Sequence, residues 1–161
     1  MHLTRRRFLK LSGESALGLS LTGLAGCASK PDSAAVVHSE AEWRKILTPG
    51  QYAVLRQRET EAAFSSPLDH EKREGVYDCA GCDLAVFSSK TKFDSGTGWP
   101  SFWKPLHNTV LESEDRSMGM DRTEVRCRQC NSHLGHVFGD GPKPTGLRYC
   151  MNGLALTFKA A

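Results

Sequence analysis

Gly75-Val76-Tyr77-Asp78-Cys79-Ala80-Gly81-Cys82 runs a short β-prone block straight into a Cys-x-x-Cys pair. Similar blocks, rich in valine, tyrosine, phenylalanine and glycine, recur at 85–88, 124–127, 136–138, 147–151 and 154–158, with turn residues between them. β-Branched and aromatic side chains fit a pleated, half-buried surface, and short blocks divided by turns fit antiparallel pairing. The fold expected is mainly β, with helix the minority.

A second knuckle, Cys127-Arg128-Gln129-Cys130, follows the first after 44 residues. Each knuckle can present two thiolates to one tetrahedral ion, and a Cys₄ set is a closed structural zinc site with no open position for chemistry. Disulfides are the alternative wherever the chain is exported. Iron also takes four thiolates, but nothing in the sequence asks for a redox metal.

Two helices are expected ahead of the strands. Ser39-Glu40-Ala41-Glu42 has the form of a capping box, with Trp43, Ile46 and Leu47 following at helical spacing. Thr48-Pro49 then offers an N-cap and a proline at the first helical position for a second helix reaching about Arg58, with Tyr52, Val54 and Leu55 on its apolar side. Trp43, Tyr52 and Leu55 read as core. From Glu59 to Glu74 the chain is polar and irregular and reads as a loop, with Glu71-Lys72-Arg73-Glu74 as solvated surface.

At the amino terminus, Thr4-Arg5-Arg6-Arg7-Phe8-Leu9-Lys10 precedes a weakly apolar run that ends in Leu24-Ala25-Gly26-Cys27. This resembles a twin-arginine export signal closing in a lipobox, so residues 1–26 are expected to be a signal peptide and Cys27 to carry lipid. Ordinary cleavage leaving a free Cys27 is the alternative. The twin-arginine route carries folded proteins, which would let zinc load before export. Residues 27–38 read as a flexible tether and 39–161 as the domain. The expected location is the bacterial cell envelope, on a membrane facing the periplasm or exterior. The formal charge of +3 comes largely from this leader, since residues 27–161 hold 17 basic and 17 acidic residues. Composition therefore gives no argument for a nucleic-acid partner.

Arg148-Tyr149-Cys150-Met151-Asn152 supplies the candidate nucleophile. On a strand, Arg148, Cys150 and Asn152 share a face, which sets a guanidinium and an amide beside a thiol. A free thiol, with a pKa of about 8.5, is roughly 3 % thiolate at pH 7, and a neighbouring cation favours that form. A buried, inert cysteine is the competing reading. Gly96-Thr97-Gly98-Trp99-Pro100 frees the backbone before a tryptophan and can present its indole on a loop, although Trp99 and Phe102 can equally be core. His133 and His136, with Asp140 close behind, can serve the proton transfers of cysteine chemistry or be structural. Regular alternation would put the two imidazoles on opposite faces.

Together, the strings Tyr77-Asp78-Cys79-x-x-Cys82, Lys92 to Phe102, Cys127-x-x-Cys130, His133 to Pro142 and Thr145 to Asn152 closely resemble the methionine-R-sulfoxide reductase B family over approximately Trp43 to Phe158. The resemblance implies two antiparallel sheets, a structural zinc on Cys79, Cys82, Cys127 and Cys130, and reduction of the R epimer of methionine sulfoxide, free or in proteins. It implies Cys150 as nucleophile and Trp99 against the substrate's methyl group, with His136, Asp140, Arg148 and Asn152 around the sulfoxide and its water or proton network. Where many relatives carry a resolving cysteine, this chain has Thr97, whose hydroxyl cannot close a disulfide. With four cysteines on the metal and Cys27 lipidated, a one-cysteine cycle is expected, served by a thioredoxin-like protein or another external thiol. Met151 replaces the usual valine or isoleucine and keeps apolar bulk. A monomer is expected. The rival readings are a zinc-ribbon-like binding module in which Cys150 is only buried, and a thiol-disulfide oxidoreductase working through a Cys-x-x-Cys pair.

Overall fold

The computed structural model describes residues 34–161, so the leader, Cys27 and the first part of the tether lie outside the described residues. Ser39 caps α1 (Glu40–Ile46): its Oγ accepts from the Glu42 N–H, and Glu42 Oε2 accepts from the Ser39 N–H at 2.7 Å. Thr48 and Gln51 make the same reciprocal pair for α2 (Pro49–Gln57), where Pro49 occupies a position whose N–H has no helical partner to lose. Trp43 from α1 and Tyr52, Val54 and Leu55 from α2 are buried, as their spacing predicts. Truncating Trp43 to alanine would cost about 3–5 kcal/mol. Among the described residues no helix is long and apolar enough to cross a membrane.

Among the described residues nine strands follow: β1 (Gly75–Cys79), β2 (Ala85–Ser88), β3 (Lys92–Phe93), β4 (Ser101–Phe102), β5 (Val110–Asp115), β6 (Arg122–Cys127), β7 (His133–Phe138), β8 (Arg148–Met151) and β9 (Leu156–Ala160). They form two antiparallel sheets, one ordered β2-β1-β9 and the other β3-β4-β8-β7-β6-β5. Aromatic contacts join the sheets. Phe87 on β2 stacks on Phe102 of β4 with centroids 4.4 Å apart, and Tyr77 on β1 meets the same ring edge-on at 4.9 Å. Tyr149 on β8 also reaches Phe87. Since alternate side chains on a strand take opposite faces, Tyr149 in this core turns its neighbour Cys150 to the other side of the sheet.

The two knuckles are the same turn built twice. The Cys79 N–H donates to the Leu84 carbonyl and the Asp83 N–H to the Cys79 carbonyl; likewise Cys127 donates to Ser132, and Asn131 to Cys127. Asp83 and Asn131, each just after the second cysteine, adopt φ of 57° and 60°. Aspartate and asparagine enter this left-handed region more readily than other side chains, so the turn is written locally.

Two expectations change. β5 is absent from the apolar blocks because its inward positions include Asp115, which is buried by charge pairing and not by apolar character. His133 and His136 do not face opposite sides. β7 pairs with β6 as Gly135 to Val125 and then His133 to Arg126, which leaves Leu134 as an extra residue. This bulge rotates His133 to the face of His136, and their rings lie 5.3 Å apart.

Candidate active site

Pairing in the six-stranded sheet sets Ser101 beside Cys150, Cys150 beside His136, His136 beside Glu124, and Glu124 beside Ser113. Residues directly opposite on antiparallel strands share a face, so one cross-strand row carries a hydroxyl, the thiol, an imidazole and a carboxylate. The row borders a cleft of about 140 Å³ whose walls include Trp99, His136, Phe138, Cys150, Met151 and Asn152. Its size and mostly apolar lining suit the end of one side chain with a small polar head.

Among the described residues Cys150 is the one free cysteine outside the four-cysteine cluster. Thr97 Oγ1 lies 3.8 Å from its Sγ, and Ser95 Oγ stands 2.8 Å from both Thr97 Oγ1 and Ser101 Oγ. Burial pushes the thiol up, while hydrogen bonding to Thr97, the Arg148 charge and Ser101 pull it down without overcoming burial. Arg148 favours the thiolate as the sequence predicts, but burial of Cys150 outweighs it. Asp140 holds the guanidinium: its two oxygens accept from Arg148 Nε at 2.9 Å and Nη2 at 2.8 Å. The resting thiol keeps its proton at neutral pH.

Beside it, His136 is bonded through Nε2 to Asp115 Oδ2 at 2.8 Å. Hydrogen bonds from Ser117, with a further one from His136, hold Asp115 well below the usual carboxylate range. An ionised carboxylate only accepts, so Nε2 carries the proton of the neutral ring and Nδ1 has the lone pair. Burial lowers the His136 pKa, against the pull of Asp115, and the ring is neutral at pH 7. Glu124 takes His133 Nδ1 at 2.8 Å and pairs with Arg58, and Arg122 pairs with Asp115 while lining the cleft. Burial opposes the Glu124 carboxylate, but His133, Arg58 and Arg126 keep it ionised. Neither histidine is held by the cysteine cluster.

Of the expected site residues, Cys150, His136, Trp99 and Asn152 meet at the cleft. Asp140 does not: its side chain is 63 % exposed and serves Arg148, which stands beside the thiol without lining the cleft. The Asn152 carboxamide is directed at backbone, with Nδ2 donating to the Leu134 carbonyl and Oδ1 accepting from the Glu61 N–H. The Trp99 indole N–H donates to the Glu61 carbonyl. Sequence reasoning missed Asp115, Glu124, Glu61 and the Ser95–Thr97–Ser101 hydroxyls. None carries a periodic signal: β5, which bears Asp115, does not read as a strand, and Glu61 sits in a polar segment that looks exposed.

Elsewhere, Cys79, Cys82, Cys127 and Cys130 bring their sulfurs within 4.8 Å of one another. Cys79 lies 3.6 Å from Cys130 and Cys82 3.5 Å from Cys127, too far for a disulfide at about 2.05 Å. Ligands of a tetrahedral ion with metal–sulfur bonds of about 2.3 Å stand roughly 3.8 Å apart, which these separations approach. Hydrogen bonding among the four sulfurs pushes the Cys79 and Cys82 thiols up while Cys127 and Cys130 are pulled down, so the protons are shared unequally across the set. The donor set fits one structural metal ion.

A cysteine paired across strands with an imidazole thus stands in an aromatic-walled cleft, apart from a four-thiol cluster that fits a metal ion. The SelR domain family matches residues 47–160. The peptide methionine sulfoxide reductase MsrB of Methanosarcina barkeri is 57 % identical over 126 residues, 78 % of this chain and 89 % of that protein. Those of Pseudomonas entomophila (56 % over 119 residues, 73 % and 91 %) and Bradyrhizobium diazoefficiens (57 % over 122 residues, 75 % and 88 %) are similarly close. The chain belongs to the MsrB family.

Proposed function

We propose that this domain reduces methionine-R-sulfoxide, free or in proteins, to methionine through a sulfenic acid on Cys150, and that an external thiol closes the cycle. The observation that carries the reading is the Ser101–Cys150–His136 row opening on a cleft walled by Trp99. Trp99 and Phe138 offer the apolar surface a methyl group needs. The neutral His136 ring takes the Cys150 proton; the thiolate attacks the sulfoxide sulfur, and protonation of the oxygen lets it pass to Cys150. The substrate sulfur gains two electrons, the Cys150 sulfur loses two, and methionine leaves. Two external thiols then return Cys150 to the thiol, with water and their own disulfide as products. Thr97 cannot resolve the sulfenic acid, which supports reduction from outside by a thioredoxin-like protein or a small thiol.

Zinc is the ion assigned to Cys79, Cys82, Cys127 and Cys130, in a closed set that supplies structure and no chemistry. The twin-arginine-like leader and Leu24-Ala25-Gly26-Cys27 support export and lipidation at Cys27, with repair of oxidised exported proteins as the role. Cys27→Ala should move the protein from the membrane to the soluble fraction; unchanged membrane recovery would remove the anchor from the proposal. The reaction is tested by offering the separate R and S epimers of a methionine-sulfoxide peptide with a thiol reductant. Turnover of R alone is expected, and turnover of S, or of neither by folded, metal-loaded protein, overturns it.

A further inference from the structure

Glu61 sits in the stretch 59–74 that reads as a polar, irregular loop, yet it is only 9 % exposed. Its polar groups go to both sides of the cleft. The backbone N–H donates to Asn152 Oδ1 at 3.0 Å, and the carbonyl accepts from Trp99 Nε1 at 3.2 Å. The carboxylate accepts from the Gly153 N–H at 2.5 Å and the Leu154 N–H at 2.9 Å, at the turn that follows Asn152. Neighbouring residues extend the contact: Thr60 lines the cleft, and the Phe64 N–H donates to the Gly98 carbonyl, one residue before Trp99. The seat is tight, since a Cβ on Gly153 would come within 1.9 Å of Ser66 Oγ.

Among the described residues Glu61 forms no ion pair, so two backbone N–H groups hold its carboxylate. Burying a carboxylate is costly unless its bonds are satisfied. Here those bonds tie the segment carrying the Glu61 N–H and carbonyl to the turn just after β8, which bears Cys150. We infer that Glu61 is a positioning residue that sets the Trp99 indole and the Asn152 carboxamide relative to Cys150, and so governs how tightly the sulfoxide-bearing side chain is held. This rests on the reading of the cleft as the sulfoxide site. None of the four bonds reaches Cys150, so the thiol's own reactivity stands outside Glu61's control. Misplacing a positioning group by about 1 Å can cost up to a hundredfold.

The test uses metal-loaded Glu61→Ala and Glu61→Gln, the second retaining one acceptor oxygen. Glu61→Ala should raise KM for a methionine-sulfoxide peptide about tenfold or more, with kcat changed less than about threefold and alkylation of Cys150 unchanged. Glu61→Gln should fall between it and the wild type. The Trp99 indole N–H resonance, assigned by its loss in Trp99→Phe, should shift and exchange faster with solvent in both variants. That signal needs no turnover, so it separates failure of the clamp from failure of the reductase reading. An unmoved indole resonance, or a loss carried by kcat with KM unchanged, overturns the inference. Should the alanine variant not fold, Glu61→Gln alone decides by the same two readouts.

Discussion

The cysteine cluster and the Cys150 row use one element in opposite ways. At the cluster, four thiols crowd within 4.8 Å, each pair held by a turn whose hydrogen bonds stay within six residues. At the row, one thiol stands apart, and its neighbours come from β4, β7 and the loop carrying Thr97. Crowding suits a cation and leaves no ligand free to react. Isolation beside an imidazole leaves the thiol free to react, once a proton is removed.

The largest effect that would break this contrast is the exchange of phenotypes. Cys150→Ser should lower turnover by at least about a thousandfold while metal content and melting temperature stay at wild-type values. Cys127→Ser should instead lose the metal and at least ~3 kcal/mol of stability, a fall of about 10 °C or more in Tm. Metal analysis with calorimetry reads both; a Cys150→Ser protein that sheds its metal would mean that the two regions are not separate.

Next in size is the Asp115–His136 pair. Asp115→Asn should slow kcat by about ten- to a hundredfold through loss of ring orientation. The sign of its pH effect follows from the hydrogen bond it weakens: Asp115 raises the His136 pKa, so the variant's acid limb should move to lower pH. In the wild type, burial already holds that pKa below the unfolded value of about 6.5. The unfolded ring therefore binds protons first, and this contribution to stability is complete above about pH 6.5 and declines as pH falls toward the folded pKa. An acid limb that stays in place would take His136 out of the proton path.

A smaller effect sharpens the contrast at the thiol itself. Thr97→Val should raise the Cys150 pKa further and slow its alkylation at pH 7 about fivefold, whereas Thr97→Ser should keep the wild-type rate. Equal alkylation rates in all three would show that the hydroxyl does not touch the thiolate.

The same division explains what was legible in the sequence. Ser39-x-x-Glu42, Thr48-Pro49 and the two Cys-x-x-Cys turns are local devices, and their caps and spacings are written in consecutive residues. The face shared by Cys150 and Asn152 follows from strand alternation. By contrast, Asp115 is joined to His136 across 21 positions and Glu61 to Gly153 across 92, and no periodicity marks either. The two histidines were misplaced because a single extra residue, Leu134, breaks the alternation. The effect of Arg148 on Cys150 is legible in their spacing, whereas the burial that outweighs it depends on how distant strands pack.

The most direct measurement is the intact mass of the metal-loaded domain after one turnover with the R epimer alone, with a sulfenic-acid trap and no reductant. One equivalent of methionine and one trapped adduct, mapped to Cys150, are the expected result. A disulfide in place of the adduct, or an adduct on Cys79, Cys82, Cys127 or Cys130, would contradict the division of labour between the two sets of cysteines.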